Sequence, residues 1–330
     1  NISKFDTKSV NTMSNMFSEC SNLTDIDLSK FNTSQVKDMS YMFNECNSLE
    51  EINADNFDTS NVEKMEYMFY NCNNLKMIDV ANFNTNKVIN IRKMFSGCSS
   101  VSELYFGEKN ISNVIDMSGL FEYCSSLKTL IINELITKSV IDMSYIFRGC
   151  KSLQGLYIMS LDTTNVKNME GMFSECTSLS SLDVSGLKTS NVENMSLMFS
   201  NCYSLSYIEG MDFDTSKVYN MSGMFKNCSA LTSLKLDKFN TNKVIDISRM
   251  FYSCESLENI DLSKFNTTNV IDMTYMFYSC RSLSELDINN FYTPNVISMH
   301  GMFKGCTSLS VLNISKFDTK SVNTMSNMFS

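Results

Sequence analysis

Tryptophan is absent from this chain, and proline and histidine occur once each, as Pro294 and His300. A single histidine leaves Ser–His and Cys–His nucleophilic mechanisms with nothing to recommend them. Basic charge is scarce: 27 Lys and Arg stand against 36 Asp and Glu, a net charge of −9. That sign argues against non-specific nucleic-acid binding, which replaces phosphate counterions with basic side chains. It also disfavours docking on an anionic membrane surface. No apolar run approaches the ~18 residues that would suggest a membrane span. An initiator Met, a signal peptide and a lipidation motif are missing from the 330 residues, and both ends are expected to continue into further sequence of the same kind. Against these absences stand 25 Met, 23 Phe and 43% apolar residues. Usage so skewed means that a few residue types fill one structural slot many times.

The cysteines give the period. Cys20, Cys46, Cys72, Cys98, Cys124, Cys150, Cys176, Cys202, Cys228, Cys254, Cys280 and Cys306 stand 26 residues apart without an insertion or deletion. A Val stands ten residues before every Cys and a Phe three before it. Repetition of this strictness outranks the length-based expectation of two or more globular domains. The chain is read as twelve modules and part of a thirteenth, with modules beginning at residues 1, 27, 53 and so on to 313. Within a module, apolar residues recur at positions 2, 5, 10, 13, 16, 17, 20, 23 and 26.

Three segments follow from one module. Leu23, Ile26 and Leu28 place two side chains on one face at period two, as in a short strand. Val36, Met39, Met42, Phe43 and Cys46 have spacings of three, three, one and three, which predict a helical turn. Position 12 is Asp or Asn in nine of the first twelve modules, as at Asp38, Asn90 and Asp142, and such residues cap helix N-termini. The Asn-, Asp-, Ser- and Thr-rich segments between bend the chain by bonding to their own backbone. Val at position 10 fits either the start of the helix or a second short strand. One module cannot bury its own apolar face, so neighbouring modules must cover one another. The predicted fold is an α/β repeat solenoid, right-handed and curved, with a parallel sheet on one side and short helical turns on the other. It is expected to run uninterrupted through residues 1–330 as a window of a longer array without capping modules.

The string F-[DN]-T-x-x-V-x-x-M-x-x-M-F-x-x-C-x-S-L-x-x-[LI]-[DN]-[LIV] resembles the repeat of the BspA-like leucine-rich-repeat surface proteins, and residues 31–54 and 265–288 carry it almost unaltered. The resemblance covers the whole chain in strict phase. It implies a surface or secreted protein of adhesion or interaction type, without catalysis, and it transfers no binding site, since the motif residues are core-forming. The sequence departs from the pattern where the Phe of position 5 becomes Lys109 and then Leu135, and where the Thr of position 7 becomes Ile111.

Residues 1–18 and 313–330 are identical, an offset of twelve modules. This fits a duplicated twelve-module block in a longer array, the repeating unit of a filament, or an artefact. Something is expected to cover the terminal cores, either further modules or a neighbouring chain stacked end to end.

Candidate chemistry is thin. One cysteine per module, with no C-x-x-C pair and no histidine partner, gives no metal or cofactor site. Parallel thiols one rung apart are also poorly aimed for a disulfide. The cysteines are read as a file of buried free thiols acting as small hydrophobes. Asp25 with Asp27 could begin a calcium site but lacks the dense oxygen-rich loop. Sequons such as Asn32-Thr33-Ser34 are expected by chance in so Asn-rich a chain. Position 1 is more informative: a polar, mostly acidic run of Asp27, Asn53 and Asp79 gives way to Tyr105, Ile131 and Tyr157, then resumes at Asp183. Met159 and Met211 stand at the neighbouring outward position 3. Tyr105, Ile131, Tyr157 and Met159 form the candidate interaction patch, against the plainer reading that Tyr and Ile pack across rungs for their strand propensity. The expected protein is a non-catalytic scaffold at the cell surface or outside the cell, binding other proteins or host ligands. The rival is a subunit of an extracellular fibre built by end-to-end self-association.

Overall fold

Three corners of a typical 26-residue module are closed by a short polar side chain folding onto its own backbone. Position 1 does this where Ser29 N–H donates to Asp27 Oδ1 at 2.9 Å, and position 6 where Ser34 N–H donates to Asn32 Oδ1 at 3.0 Å. Position 12 does it where Ser40 N–H donates to Asp38 Oδ1 at 2.9 Å. Such Asx turns explain how a chain with one proline bends three times per module. The computed structural model describes residues 2, 4–107, 110–132, 135–159 and 161–330. They form two compact units, Asn1–Asn165 and Val166–Ser330.

Each unit is a parallel β-solenoid with a rung of 26 residues. In the first unit, β1 (Met77–Asp79) pairs with β2 (Glu103–Tyr105) and β3 (Thr129–Ile131) with β4 (Gly155–Tyr157), all in parallel and in 26-residue register. In the second, β5 (Ser181–Asp183) pairs with β6 (Tyr207–Glu209), β7 (Ser233–Leu234) with β8 (Asn259–Ile260), and β9 (Glu285–Leu286) with β10 (Val311–Leu312). A second parallel ladder runs through position 12. It links Thr12, Asp38, Lys64, Asn90, Asp116 and Asp142 in the first unit, and Asn168 through Thr324 in the second. The neighbouring Val36 is buried, and its N–H closes a turn onto Thr33 C=O at 2.9 Å. Position 10 therefore closes the turn that leads into this second ladder and begins no helix.

No helix occurs among the described residues. The run predicted as a helical turn is a chain of tight turns. Its even-numbered N–H groups close turns within the rung: Met42 onto Met39, Asn44 onto Tyr41 and Cys46 onto Phe43, at 3.1–3.3 Å. The alternate N–H groups of Met39, Tyr41, Phe43 and Glu45 instead donate sideways to the next rung at 2.7–3.0 Å. A helix sends every N–H back along its own axis, whereas half of these bind rung to rung. The geometry needs a left-handed residue twice per rung. Among the described residues every non-glycine with positive φ stands at position 15 or 19, including Tyr41 (58°), Glu45 (59°) and Leu197 (57°). Large side chains avoid that region, so the ladder bonds on either side hold them there. Glycine meets the demand without strain, as at Gly97 (80°) and Gly119 (61°).

The core lies between rungs. Met39, Met42, Phe43, Cys46 and Leu49 are wholly buried, and the same positions are buried in rung after rung of both units. Phe rings at position 17 stack face to face, with centroids 5.4–6.0 Å apart from Phe17 to Phe147 and 5.4–5.9 Å from Phe173 to Phe329. Position 7 carries a buried hydroxyl that serves the rung beside it: Thr59 Oγ1 donates to Asn84 C=O at 3.1 Å and accepts from Asn84 N–H at 2.7 Å. Thr59→Val keeps the shape and removes both bonds. It is expected to cost about 2–3 kcal/mol, because two backbone groups lose their partner, readable as a lowered urea midpoint at unchanged m-value. At Ile111 and Leu135, departures from the repeat, apolar side chains are simply buried, while Lys109 lies outside the described residues.

Candidate interaction surfaces

The strands alternate strictly. In β3 the central Leu130 is buried while Thr129 and Ile131 face out, and β1 repeats this with Ile78 between Met77 and Asp79. Positions 25 and 1 thus line an outer strand face in the first unit. Tyr105 is 50% exposed, Ile131 67%, Tyr157 55% and Met159 59%. Ile131 and Tyr157 are direct register partners on β3 and β4, whereas Tyr105 is paired with Asp79 across β1 and β2. Tyr105 donates its hydroxyl to Glu103 Oε2 at 2.9 Å, and this bond and the carboxylate's charge hold its pKa above the ordinary phenol value. Met211 does not share this exposure: it is buried. Gly210 takes the position-2 slot that Val184 and Leu236 fill elsewhere, adopts φ of 70°, and Met211 turns inward to supply the missing apolar side chain.

The patch replaces turn-forming residues. At Asp79, Asp183 and Asp261 the position-1 carboxylate accepts a backbone N–H two residues on at 2.9 Å. Those hydrogen bonds, chiefly from Ser185 and Ser263, hold Asp183 and Asp261 below the usual carboxylate range. Tyr and Ile cannot make that bond. Three successive rungs therefore trade a turn cap for an exposed apolar surface.

An acidic concavity of about 490 Å³ adjoins β1, lined by Asp25, Asp27, Glu51, Asp55, Asp79 and Met77. Among the described residues no group of three His, Cys, Asp or Glu is placed to hold a metal ion. His300 is half-buried, with Nε2 2.6 Å from Tyr275 Oη and Nδ1 2.5 Å from Ser326 Oγ. Glu122 is buried and held by Lys93 at 3.0 Å and Arg148 at 3.7 Å. Arg148 also lies over the rings of Tyr123 and Tyr145. This charge cluster is bound up in the turns.

The thiols are shielded twice over. Cys46, Cys72, Cys98 and Cys124 are buried, and each donates S–H to the Phe carbonyl of the preceding rung at 3.1–3.2 Å. Burial pushes Cys46 up to about 11 and Cys150, Cys202 and Cys254 up to about 12. A thiol that stays protonated is a poor nucleophile and a poor metal ligand. Cys20 differs in being exposed.

A second apolar face emerges at position 11, next to the Val of the second ladder. Ile89, Ile115 and Ile141 are 41–50% exposed in the first unit. In the second, Tyr219, Ile245, Ile271 and Ile297 are 41–45% exposed and wall a groove of about 780 Å³. Their backbones are joined by one bond per rung, Ile245 to Tyr219, Ile271 to Ile245 and Ile297 to Ile271, at 2.8–2.9 Å. The sequence signal for this stripe is an Ile or Tyr directly after the inward Val of position 10, as in Val244-Ile245, Val270-Ile271 and Val218-Tyr219.

Among known proteins, the model of a family described as "Mycoplasma protein of unknown function, DUF285" matches residues 1–106, 105–209, 182–285, 204–312 and 281–330. No curated protein matches the chain. A leucine-rich repeat protein from Bacteroides ovatus is similar at 22% identity over 84% of this chain and 75% of that one, with a TM-score of 0.42. A leucine rich cell surface protein from Faecalibacterium prausnitzii is 16% identical over 78% of this chain and 79% of that one, with a TM-score of 0.27. For a leucine-rich repeat protein from Eubacterium ventriosum the values are 16%, 76%, 82% and 0.32. Among the described residues no helix is long and apolar enough to cross a membrane.

Proposed function

The chain belongs to the DUF285 family, and on that premise we propose that it is a non-catalytic scaffold for protein–protein interaction, displayed at the cell surface or outside the cell. The observation that carries the reading is the outer strand face of the first unit. Tyr105, Ile131, Tyr157 and Met159 expose half or more of their surface, on rungs where other modules place a turn-forming Asp or Asn. Aromatic residues are favoured anchors because they bury a large area at low entropic cost. The plainer reading, packing across rungs, accounts for the pairing of Ile131 with Tyr157 but leaves both side chains more than half exposed. The resemblance to BspA-like surface proteins supports the location and the adhesive role. The raised pKa of the buried thiols supports the absence of nucleophilic chemistry.

Replacing Tyr105 and Tyr157 together with Asp tests the patch. Adhesion of beads coated with the variant to cultured host cells is expected to fall about tenfold or more, with the far-UV circular dichroism melt unmoved. Undiminished adhesion by a folded variant would exclude this face as the binding surface.

A further inference from the structure

We propose that the position-11 face of the second unit is a self-association surface, on which a second copy of this chain docks side by side. Tyr219, Ile245, Ile271 and Ile297 make an apolar stripe with one side chain per rung. Rungs joined by parallel ladder bonds repeat every ~4.8 Å. Side chains at that pitch interdigitate best with a surface of the same pitch, as identical ladders do in a steric zipper. Another copy of the chain supplies such a surface by construction. Ile89, Ile115 and Ile141 of the first unit show that the device recurs.

The charges flanking the stripe also fit a second copy. Along the chain, position 9 precedes the stripe and position 12 follows it. Lys217 and Lys243 are exposed on the first side, and Asp246 and Asp272 are half-buried on the second. Lys217 Nζ contacts the amide of Asn191, and its charge adds to the Ser216 hydrogen bonds that lower the Asp214 carboxyl. Glu193 lines the same groove, whereas Lys243 makes no ion pair among the described residues. A two-fold axis along the stripe exchanges the two sides. Lys243 of each copy then lies over Asp246 of the other, with Asp272 one rung away, while Ile meets Ile. An axis across the stripe would instead set lysine side on lysine side and aspartate side on aspartate side. The pattern selects the first arrangement, a closed dimer. Four half-exposed side chains and their margins offer less than the ~800 Å² per partner of a standard interface. The association is therefore weak and concentration-dependent.

Sedimentation equilibrium from about 5 to about 500 µM tests this with the chain itself, Ile245→Asp/Ile271→Asp, and Lys243→Glu. The chain is expected to move from monomer to dimer and stop there. The double variant is expected to stay monomeric, and Lys243→Glu to weaken dimerisation about tenfold. The tyrosine variant of the strand face is expected to dimerise unchanged, which separates this surface from the adhesive one. Circular dichroism confirms that the substituted chains, altered only at exposed positions, remain folded. A chain that is monomeric throughout overturns the proposal. So does association that the double variant retains, or an open-ended series of oligomers, which is the signature of end-to-end stacking. A monomer whose anilinonaphthalene sulfonate binding is lost in the double variant would mean a different occupant, and would equally overturn it.

Discussion

Raising the pH from about 9 to about 12 is expected to unfold both units steeply, more steeply than lysine or tyrosine titration alone would do. The cause is the buried thiol file. Burial holds Cys72, Cys98, Cys124 and Cys150 in the first unit, and Cys202, Cys228, Cys254 and Cys280 in the second, above the ordinary thiol value of 9.0. In the unfolded chain these groups lose their protons near pH 9; in the folded one Cys150, Cys202 and Cys254 keep theirs to about 12. The folded state thus binds more protons than the unfolded state throughout that window. Stability contributed by the neutral thiols is fully present below pH 9 and is lost as pH rises towards the folded value. Each thiol costs about 1.4 kcal/mol per pH unit, and four per unit cost about 5–6 kcal/mol per pH unit. A domain stability of about 5–15 kcal/mol is exhausted within one to three pH units. Circular dichroism under reducing conditions, read against pH, is the check. Cys98→Ala with Cys124→Ala should make the transition in the first unit shallower, and full native signal beyond about pH 12 would mean that the thiols are not buried together.

Phe225→Ala is expected to cost about 4–8 kcal/mol, an effect shared with the other doubly stacked phenylalanines of the second unit, such as Phe199 and Phe251. Phe225 is wholly buried, stacked on Phe199 at 5.5 Å and on Phe251 at 5.9 Å. Removing a buried Phe side chain costs about 3–5 kcal/mol in transfer and cavity terms, and each stacked pair adds about 0.5–1.5 kcal/mol. Both neighbours lose a partner together, which distinguishes a file from an ordinary core. Because a rung touches only the rungs beside it, the damage is local. Urea unfolding should show a lowered midpoint and a reduced m-value as the second unit loses cooperativity. A loss below about 2 kcal/mol with m unchanged would contradict the stacking.

The period, the apolar positions and the parallel stacking were legible because each recurs twelve times, so chance cannot imitate them. The helix was not. Spacings of three, three, one and three fall within one arc of a helix, and they serve a chain of tight turns equally well. The discriminating residues were the glycines: Gly119, Gly171, Gly223 and Gly301 share position 15, and Gly97, Gly149 and Gly305 share position 19. A helix interior disfavours glycine, while a left-handed turn residue calls for it. At position 12 the chemistry was read correctly and its context was not, since Asp38 does accept a nearby N–H but caps a turn.

The strand-face residues could be named in advance because period two fixes which side chains point outward. Met211 could not, since the inward displacement depends on Gly210 emptying a slot that its neighbours fill. The position-11 stripe escaped notice for a related reason. Ile271 stands directly beside the buried Val270, and a β-branched residue there reads as more core until the backbone shows which of the two faces water.

The central claim is that 26 residues advance the chain by one ladder spacing. Nitroxide labels on cysteines introduced at Ser206, Thr232 and Ser310 test it directly, with the exposed Cys20 and the partly exposed Cys306 replaced by Ala and the buried thiols left unreactive at neutral pH. All three sites share position 24 of the second unit, and backbone bonds there join Ser206 to Ser180 at 2.9 Å and Ser310 to Ser284 at 3.1 Å. Electron–electron distances should centre near ~14 Å for three rungs (Thr232 to Ser310) and ~19 Å for four (Ser206 to Ser310), growing by one ~4.8 Å step per rung. Distances that are broad, or that bear no proportion to the number of modules between the labels, would contradict it.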